Sequence, residues 1–285
     1  MLSSVNPVKS LTIDVAVVNW NTAEAASESS RAYLASAGAE LNVTIVDNAS
    51  EPEERAKLER LHPEGAELIL SEKNLGFGAG ANRALRDGDS EFVCVSNADV
   101  VPEPDAIAIL AAFCDKTREC GMVGPAFVEQ SAYHARLPKP TALALRPLIG
   151  GLGHHPVPSP APGKTIEVEQ PAGACFVVRR EVWERLGGFD EGYFLWYEDV
   201  DLARRLRDGG LRNFVCGSAR VHHSGGLAIG TMSRSDHQAA RLDGLDRYLR
   251  KFHPRARQVA APLLAVAHRV RAPGSAKTNG AADAR

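Results

Sequence analysis

Ile13-Asp14-Val15-Ala16-Val17-Val18-Asn19 is apolar on both faces through residues 15–18 and stops at a polar residue, Asn19. A strand with two apolar faces belongs inside a sheet covered by helices on both sides. Residues 43–46, 67–70 and 92–95 read as further strands, and helical patterns around 23–37, 52–61, 78–86 and 104–113 alternate with them. This is a βαβ series, so the expected class is α/β, with a mostly parallel sheet flanked by helices. Such sheets bind ligands at the carboxyl ends of their strands. The polar residues after each strand are therefore the candidates: Asn19, Asp47, Asn74 and Asn97-Ala98-Asp99.

With 285 residues, 44% hydrophobic and 24% charged, the chain can bury a full core. A formal charge of −2 gives no basic field, so no nucleic-acid partner is expected. Five scattered cysteines, Cys94, Cys114, Cys120, Cys175 and Cys216, lack CxxC spacing and read as reduced, which points to the cytoplasm. Residues 1–10 form an N-terminal extension without a signal-peptide core. Residues 259–267, the most apolar late run, fall far short of the roughly 20 residues a bilayer requires and contain Pro262.

Residues 11–230 read as one continuous domain: a donor-binding part at about 11–128, a Pro/Gly-rich segment at about 137–164, and an acceptor-binding part at about 165–230. The Pro/Gly-rich segment is expected to lack regular structure and to be either a lid or a disordered insertion. Strand character resumes at 166–178, and a helix is expected over 200–207, ended by Gly209-Gly210. Residues 231–272 form a basic helical segment, and 273–285 a small, polar tail expected to be disordered.

Asp47 closes its strand where a carboxylate can accept hydrogen bonds from a base or ribose, although it also suits an Asx turn or a cap on the helix near Pro52. Asn74-Leu75-Gly76-Phe77-Gly78 lets backbone approach a phosphate, or packs a helix entrance tightly on the sheet. It follows a late strand rather than the first, which argues against a dinucleotide-binding dehydrogenase. Asp99 offers Mg2+ or Mn2+ a hard oxygen ligand to share with phosphates, and equally could cap a helix.

Glu198, Asp199 and Asp201 crowd a helix start behind Tyr193, Phe194, Trp196 and Tyr197. Acids there favour the helix dipole, but one or two would suffice. Aromatics beside carboxylates also make a wall for a sugar ring next to a general base. His222 and His223 follow a strand, point to opposite faces, and can place only one imidazole in a site. Either could equally be a surface or core residue.

Taken in order, Val17-Val18-Asn19, Val46-Asp47-Asn48-Ala49-Ser50, Asn74-Leu75-Gly76-Phe77, Asn97-Ala98-Asp99, Gly173-Ala174-Cys175, Gly188-Phe189-Asp190-Glu191, Glu198-Asp199-Val200-Asp201-Leu202 and His222 resemble family 2 glycosyltransferases of the GT-A fold. The resemblance is strongest to the rhamnosyltransferase-like branch and runs from about residue 14 to 226. It implies an inverting, divalent-metal-dependent (Mg or Mn) glycosyltransferase. Its donor would be a nucleoside-diphosphate sugar, with dTDP-rhamnose favoured and UDP-sugars second. Its acceptor would be a hydroxyl of a glycan or polyprenyl-linked glycan in cell-envelope or polysaccharide synthesis.

On this resemblance Asp47 contacts the base, and Asn19, Asn74, Gly76 and Asn97 line the nucleotide pocket. Asp99 binds the metal. Asp199 is the base, with Glu198 in reserve, and His222 is the late histidine at metal or diphosphate, with His223 its rival. Asn97 replaces the first acid of the family's Asp-x-Asp, leaving one carboxylate fewer for the ion. Two alternatives stand beside this one. A sugar-nucleotide pyrophosphorylase needs a Gly-rich basic loop where this chain has Asn19-Trp20-Asn21-Thr22, and a non-catalytic sugar-nucleotide or polysaccharide-binding protein has no need of Asp99 with Glu198-Asp199. Residues 242–270 mix arginines with Leu245, Tyr248, Leu249, Phe252, Leu263 and Leu264. They suit peripheral contact with the inner face of the cell membrane, or packing on the catalytic domain.

Overall fold

The computed structural model describes residues 10–129, 134–146, 155–230 and 232–271. The first half runs β1 (Thr12–Asn19), α1 (Ala23–Leu34), β2 (Glu40–Asp47), α2 (Pro52–Leu61), β3 (Ala66–Leu70), α3 (Phe77–Leu85), β4 (Phe92–Asn97), β5 (Val100–Pro102), α4 (Ala106–Lys116) and β6 (Cys120–Phe127). The second half runs β7 (His134–Ala135), α5 (Pro140–Leu145), β8 (Pro156–Val157), β9 (Thr165–Val168), β10 (Cys175–Arg179), α6 (Arg180–Leu186), α7 (Glu198–Asp208), β11 (Arg212–His223), α8 (Leu227–Gly230), α9 (Arg234–Phe252) and α10 (Pro254–Arg271).

A nine-stranded sheet has the order β3-β2-β1-β4-β10-β6-β11-β5, with β9 added on β11. The β3-β2-β1-β4 half is parallel throughout. β10 runs against both of its neighbours, while β11 is parallel to β6. The α/β expectation holds, with the antiparallel insertions confined to the second half. β1 shows why: Ile13, Val15 and Val17 enter the core beneath α1 and α4, whereas Ala16 and Val18 enter the opposite core beneath α3, α6 and α7. Asp14 shares the phase of Ala16. Its burial is matched by Arg180 at 2.5 Å, the Ser90 hydroxyl at 2.7 Å and the Asn42 amide at 2.9 Å.

Three expectations change. The Pro/Gly-rich stretch does hold regular structure, because Pro140 sits in the first turn of α5, where its missing N–H costs nothing, and Pro156 sits in β8. Residues 147–154 of that stretch lie outside the described residues, as do 1–9 and the tail 272–285. The resumed strand at 166–178 is two strands, β9 and β10, separated by a loop carrying Gln170 and Gly173. The helix expected from Val200 begins at Glu198.

α9 and α10 bury a third core of Leu242, Leu245, Tyr248, Leu249, Ala260 and Leu264 against Tyr193, Tyr197 and Leu143. Among the described residues no helix is long and apolar enough to cross a membrane.

Candidate functional site

Parallel pairing places Asn19 directly beside Asp47 at the ends of β1 and β2. Both are buried and spend their hydrogen bonds on each other and on the adjoining loops. Asp47 Oδ1 accepts from Asn19 Nδ2 at 3.0 Å and from the Ser50 hydroxyl at 2.5 Å, and Oδ2 faces Arg55 Nε at 3.1 Å. Asn19 Oδ1 accepts from the Thr22 hydroxyl at 2.8 Å. In front of them, Asn48 Nδ2 donates to Asn74 Oδ1 and to the Gly76 carbonyl, both at 3.0 Å. Asn48 and Asn74 line a cavity of about 70 Å³ together with Val18, Trp20, Phe77 and Phe194. Gly76 is required there: its φ is +87°, and a Cβ would lie 2.2 Å from the Phe194 carbonyl oxygen.

Asp99 lies between β4 and β5, and β5 pairs antiparallel with β11 so that His223 stands opposite Val100. This register brings His223 Nε2 to 3.2 Å from Asp99 Oδ1, with both side chains buried. Burial alone would raise the Asp99 pKa. The hydrogen bond and charge of His223, with the Leu227 N–H, more than offset it and hold the carboxyl below its ordinary value. A hard oxygen beside an imidazole nitrogen suits Mn2+ or Mg2+. Among the described residues no group of three or more His, Cys, Asp or Glu side chains could hold a metal. The pair therefore fits an ion shared with substrate oxygens and water rather than a resident structural ion.

Asp199 opens α7. Its Oδ2 accepts from Gln170 Nε2 at 2.9 Å, and its Oδ1 from the Val200 N–H at 2.8 Å. A Cβ at Gly173 would lie 2.8 Å from this carboxylate, so the glycine lets backbone close on it. The neighbouring Ala174 carbonyl accepts from the Asn97 N–H at 2.9 Å. Asp199, Asn97 and Asp99 are thereby tied to one end of the sheet.

Burial raises the Asp199 pKa, while the Val200 N–H and Gln170 restrain it. Glu198 is also buried, but its Oε2 has no hydrogen-bond partner among the described residues. Burial first, and then Asp199, push it up to about 8. The preceding Trp196 and Tyr197 both have positive φ, 72° and 71°. Such a left-handed pair of bulky residues costs on the order of 1–3 kcal/mol each and persists only where the surroundings impose it. Asp201, two residues on, is occupied by Arg205 at 2.5 Å and Lys251 at 2.6 Å.

The structure thus brings Asn74 and Gly76 to a cavity, sets Asn19 and Asp47 behind it as a brace, and gathers Asn97, Asp99 and Asp199 around the end of β4. His222 is corrected. It is exposed, with Nδ1 on Glu129 at 2.6 Å, whereas its neighbour reaches Asp99. The alternation of buried Ala219, Val221 and His223 carries that signal in the sequence. Gln170, which holds Asp199, has no such signal, because it lies in an irregular loop.

The sequence matches the family described as "Glycosyltransferase like family 2" over residues 12–242. N-acetylglucosaminyl-diphospho-decaprenol L-rhamnosyltransferase of Mycobacterium tuberculosis is 30% identical over 211 residues, covering 64% of this chain and 66% of that protein. Rhamnosyltransferase WbbL of Escherichia coli is 24% identical over 161 residues, covering 52% and 61%. The chain therefore spans just under two thirds of the length of either relative. Among solved structures, GalNAc-T7 with UDP, GalNAc and Mn2+ is similar with a TM-score of 0.60 at 16% identity, covering 85% of this chain and 48% of that one. Mannosyltransferase PcManGT from Pyrobaculum calidifontis with GDP-Man and Mn2+ gives 0.56 at 19%, covering 92% and 76%. At such identities the likeness is one of fold, the GT-A arrangement.

Proposed function

The chain belongs to the family 2 glycosyltransferases, and on that premise we propose that it moves rhamnose from dTDP-rhamnose onto a hydroxyl of a lipid-linked N-acetylglucosaminyl glycan, with inversion. The preference for rhamnose and for a lipid-linked acceptor rests on the names of the relatives. The observation that carries the mechanism is the Asp199 carboxylate, gripped by Gln170, Val200 and the Gly173 backbone beside the end of β4.

Asp199 accepts the proton of the acceptor hydroxyl as its oxygen attacks the anomeric carbon. Glu198, protonated near neutrality, is not available for that task. Asp99 and His223 would hold the divalent ion, which when bound neutralises charge on the leaving diphosphate. Asn74 and Gly76 line the nucleotide side, while Asn19 and Asp47 keep its loops in place. A base acting directly on the acceptor requires one displacement, hence inversion. The setting that fits is the cytoplasmic face of the membrane, where the five buried, unpaired thiols stay reduced.

The test is transfer by purified protein to N-acetylglucosaminyl-diphosphate-polyprenol from dTDP-rhamnose and from UDP-sugars. Asp199→Asn should lower turnover about 100- to 10,000-fold with donor affinity unchanged. Near wild-type turnover by that variant would remove Asp199 from the reaction.

A further inference from the structure

The mechanism above leaves unused a set of polar side chains next to the Asp199 turn. Trp196 Nε1 and His237 Nε2 are shielded from solvent, and neither has a hydrogen-bond partner among the described residues. Their rings meet edge to face with centroids 5.3 Å apart, and the guanidinium of Arg241 lies 5.4 Å from the centre of the Trp196 ring. His237, Arg241 and Gly244 stand at i, i+4 and i+7 of α9 and so share one face. A Cβ at Gly244 would lie 2.6 Å from the Trp196 carbonyl oxygen, so this face is seated directly on the strained turn.

We propose that Trp196, His237 and Arg241 form the seat for the anionic linker, a phosphate or diphosphate, of a lipid-linked acceptor. The proposal rests on the function proposed above and names the part of the acceptor that is recognised. A guanidinium reads phosphate oxygens in bidentate fashion, and an indole N–H can only donate, so both select an anion or another acceptor atom. Burial, and secondarily Arg241, lower the His237 pKa, leaving a neutral ring that can donate from Nε2. A buried donor without a partner carries a desolvation penalty that a bound oxygen removes. Trp196 is three residues before Asp199 on the same turn, so a linker held at Trp196 presents its first sugar beside the base.

Calorimetry on the full chain tests this without turnover. The probes are farnesyl-diphospho-N-acetylglucosamine, the uncharged farnesyl glycoside of the same sugar, and dTDP with Mn2+. The wild type should bind the charged probe roughly ten- to a hundredfold more tightly than the neutral one. Arg241→Gln should abolish that preference, and Trp196→Phe, which keeps the ring and loses only the N–H, should reduce it severalfold, with dTDP binding unchanged in both. A preference that is absent from the wild type, or that survives Arg241→Gln, overturns the proposal. A parallel loss of dTDP affinity would assign Arg241 to the donor instead. Failure of the enzymatic reading appears separately, as wild-type protein that binds the charged probe but transfers no sugar.

Discussion

Two adjacent carboxyls, Glu198 and Asp199, share a helix start but differ in their hydrogen bonds, and the difference separates stability from chemistry. Glu198 has its folded pKa raised to about 8 from an ordinary value of 4.5. A carboxyl raised in this way contributes fully below the unfolded value and loses its contribution as pH climbs through the folded one. Wild-type stability should therefore fall between about pH 4.5 and 8 by a few kcal/mol relative to Glu198→Gln, measured by denaturant unfolding across that range. Parallel curves for the two proteins would show that Glu198 is solvated. The histidines give a second contrast. His223→Ala should weaken Mn2+-dependent nucleotide binding about tenfold or more, whereas His222→Ala, whose ring faces Glu129, should leave it alone. Equal calorimetric losses would detach the Asp99–His223 pair from the ion.

β11 and α9 position these residues from opposite sides. β11 could be read in phase, since Ala219 and Val221 announce the buried face that His223 shares. The strands β1, β2 and β4 were legible for the same reason, as apolar runs ending in a polar residue. Asp47 was legible as a strand-end acid, but its engagement by Ser50 and Arg55 was not, because those partners reach it only once the β2–α2 loop is folded. The hold of α9 on the active segment left no periodic mark either. It depends on one small residue, Gly244, and on Arg247 and Lys251 gripping Asp190 at 2.5 and 2.8 Å. Gly244→Val should force α9 off the Trp196 carbonyl, costing about 1–3 kcal/mol in unfolding experiments. It should lower kcat while leaving dTDP affinity near wild type. Unchanged kcat in a variant with lowered Tm would limit α9 to stability.

Across the whole molecule, α10 presents the least expected surface. It contains no acidic residue and four arginines, and its outer face leaves Val259 and Val266 58% and 54% exposed. Leu145 of α5, which packs with α10, is exposed as well. Apolar side chains on a basic helix suit an anionic bilayer surface. Removing both last helices is a poor test, because α9 supports the active segment. Val259→Asp with Val266→Asp should instead reduce cosedimentation with phosphatidylserine vesicles about tenfold or more while leaving unfolding unchanged. Equal sedimentation would exclude this face. The seating of α9 on the Trp196 turn also bears on the order of events at the ribosome. Chains fold from the amino terminus as they emerge, so the strand ends that bracket the nucleotide are available early. The turn bearing Asp199 acquires its clamp only when Gly244 and Lys251 have followed, and a nascent chain halted before them is expected to capture donor without spending it.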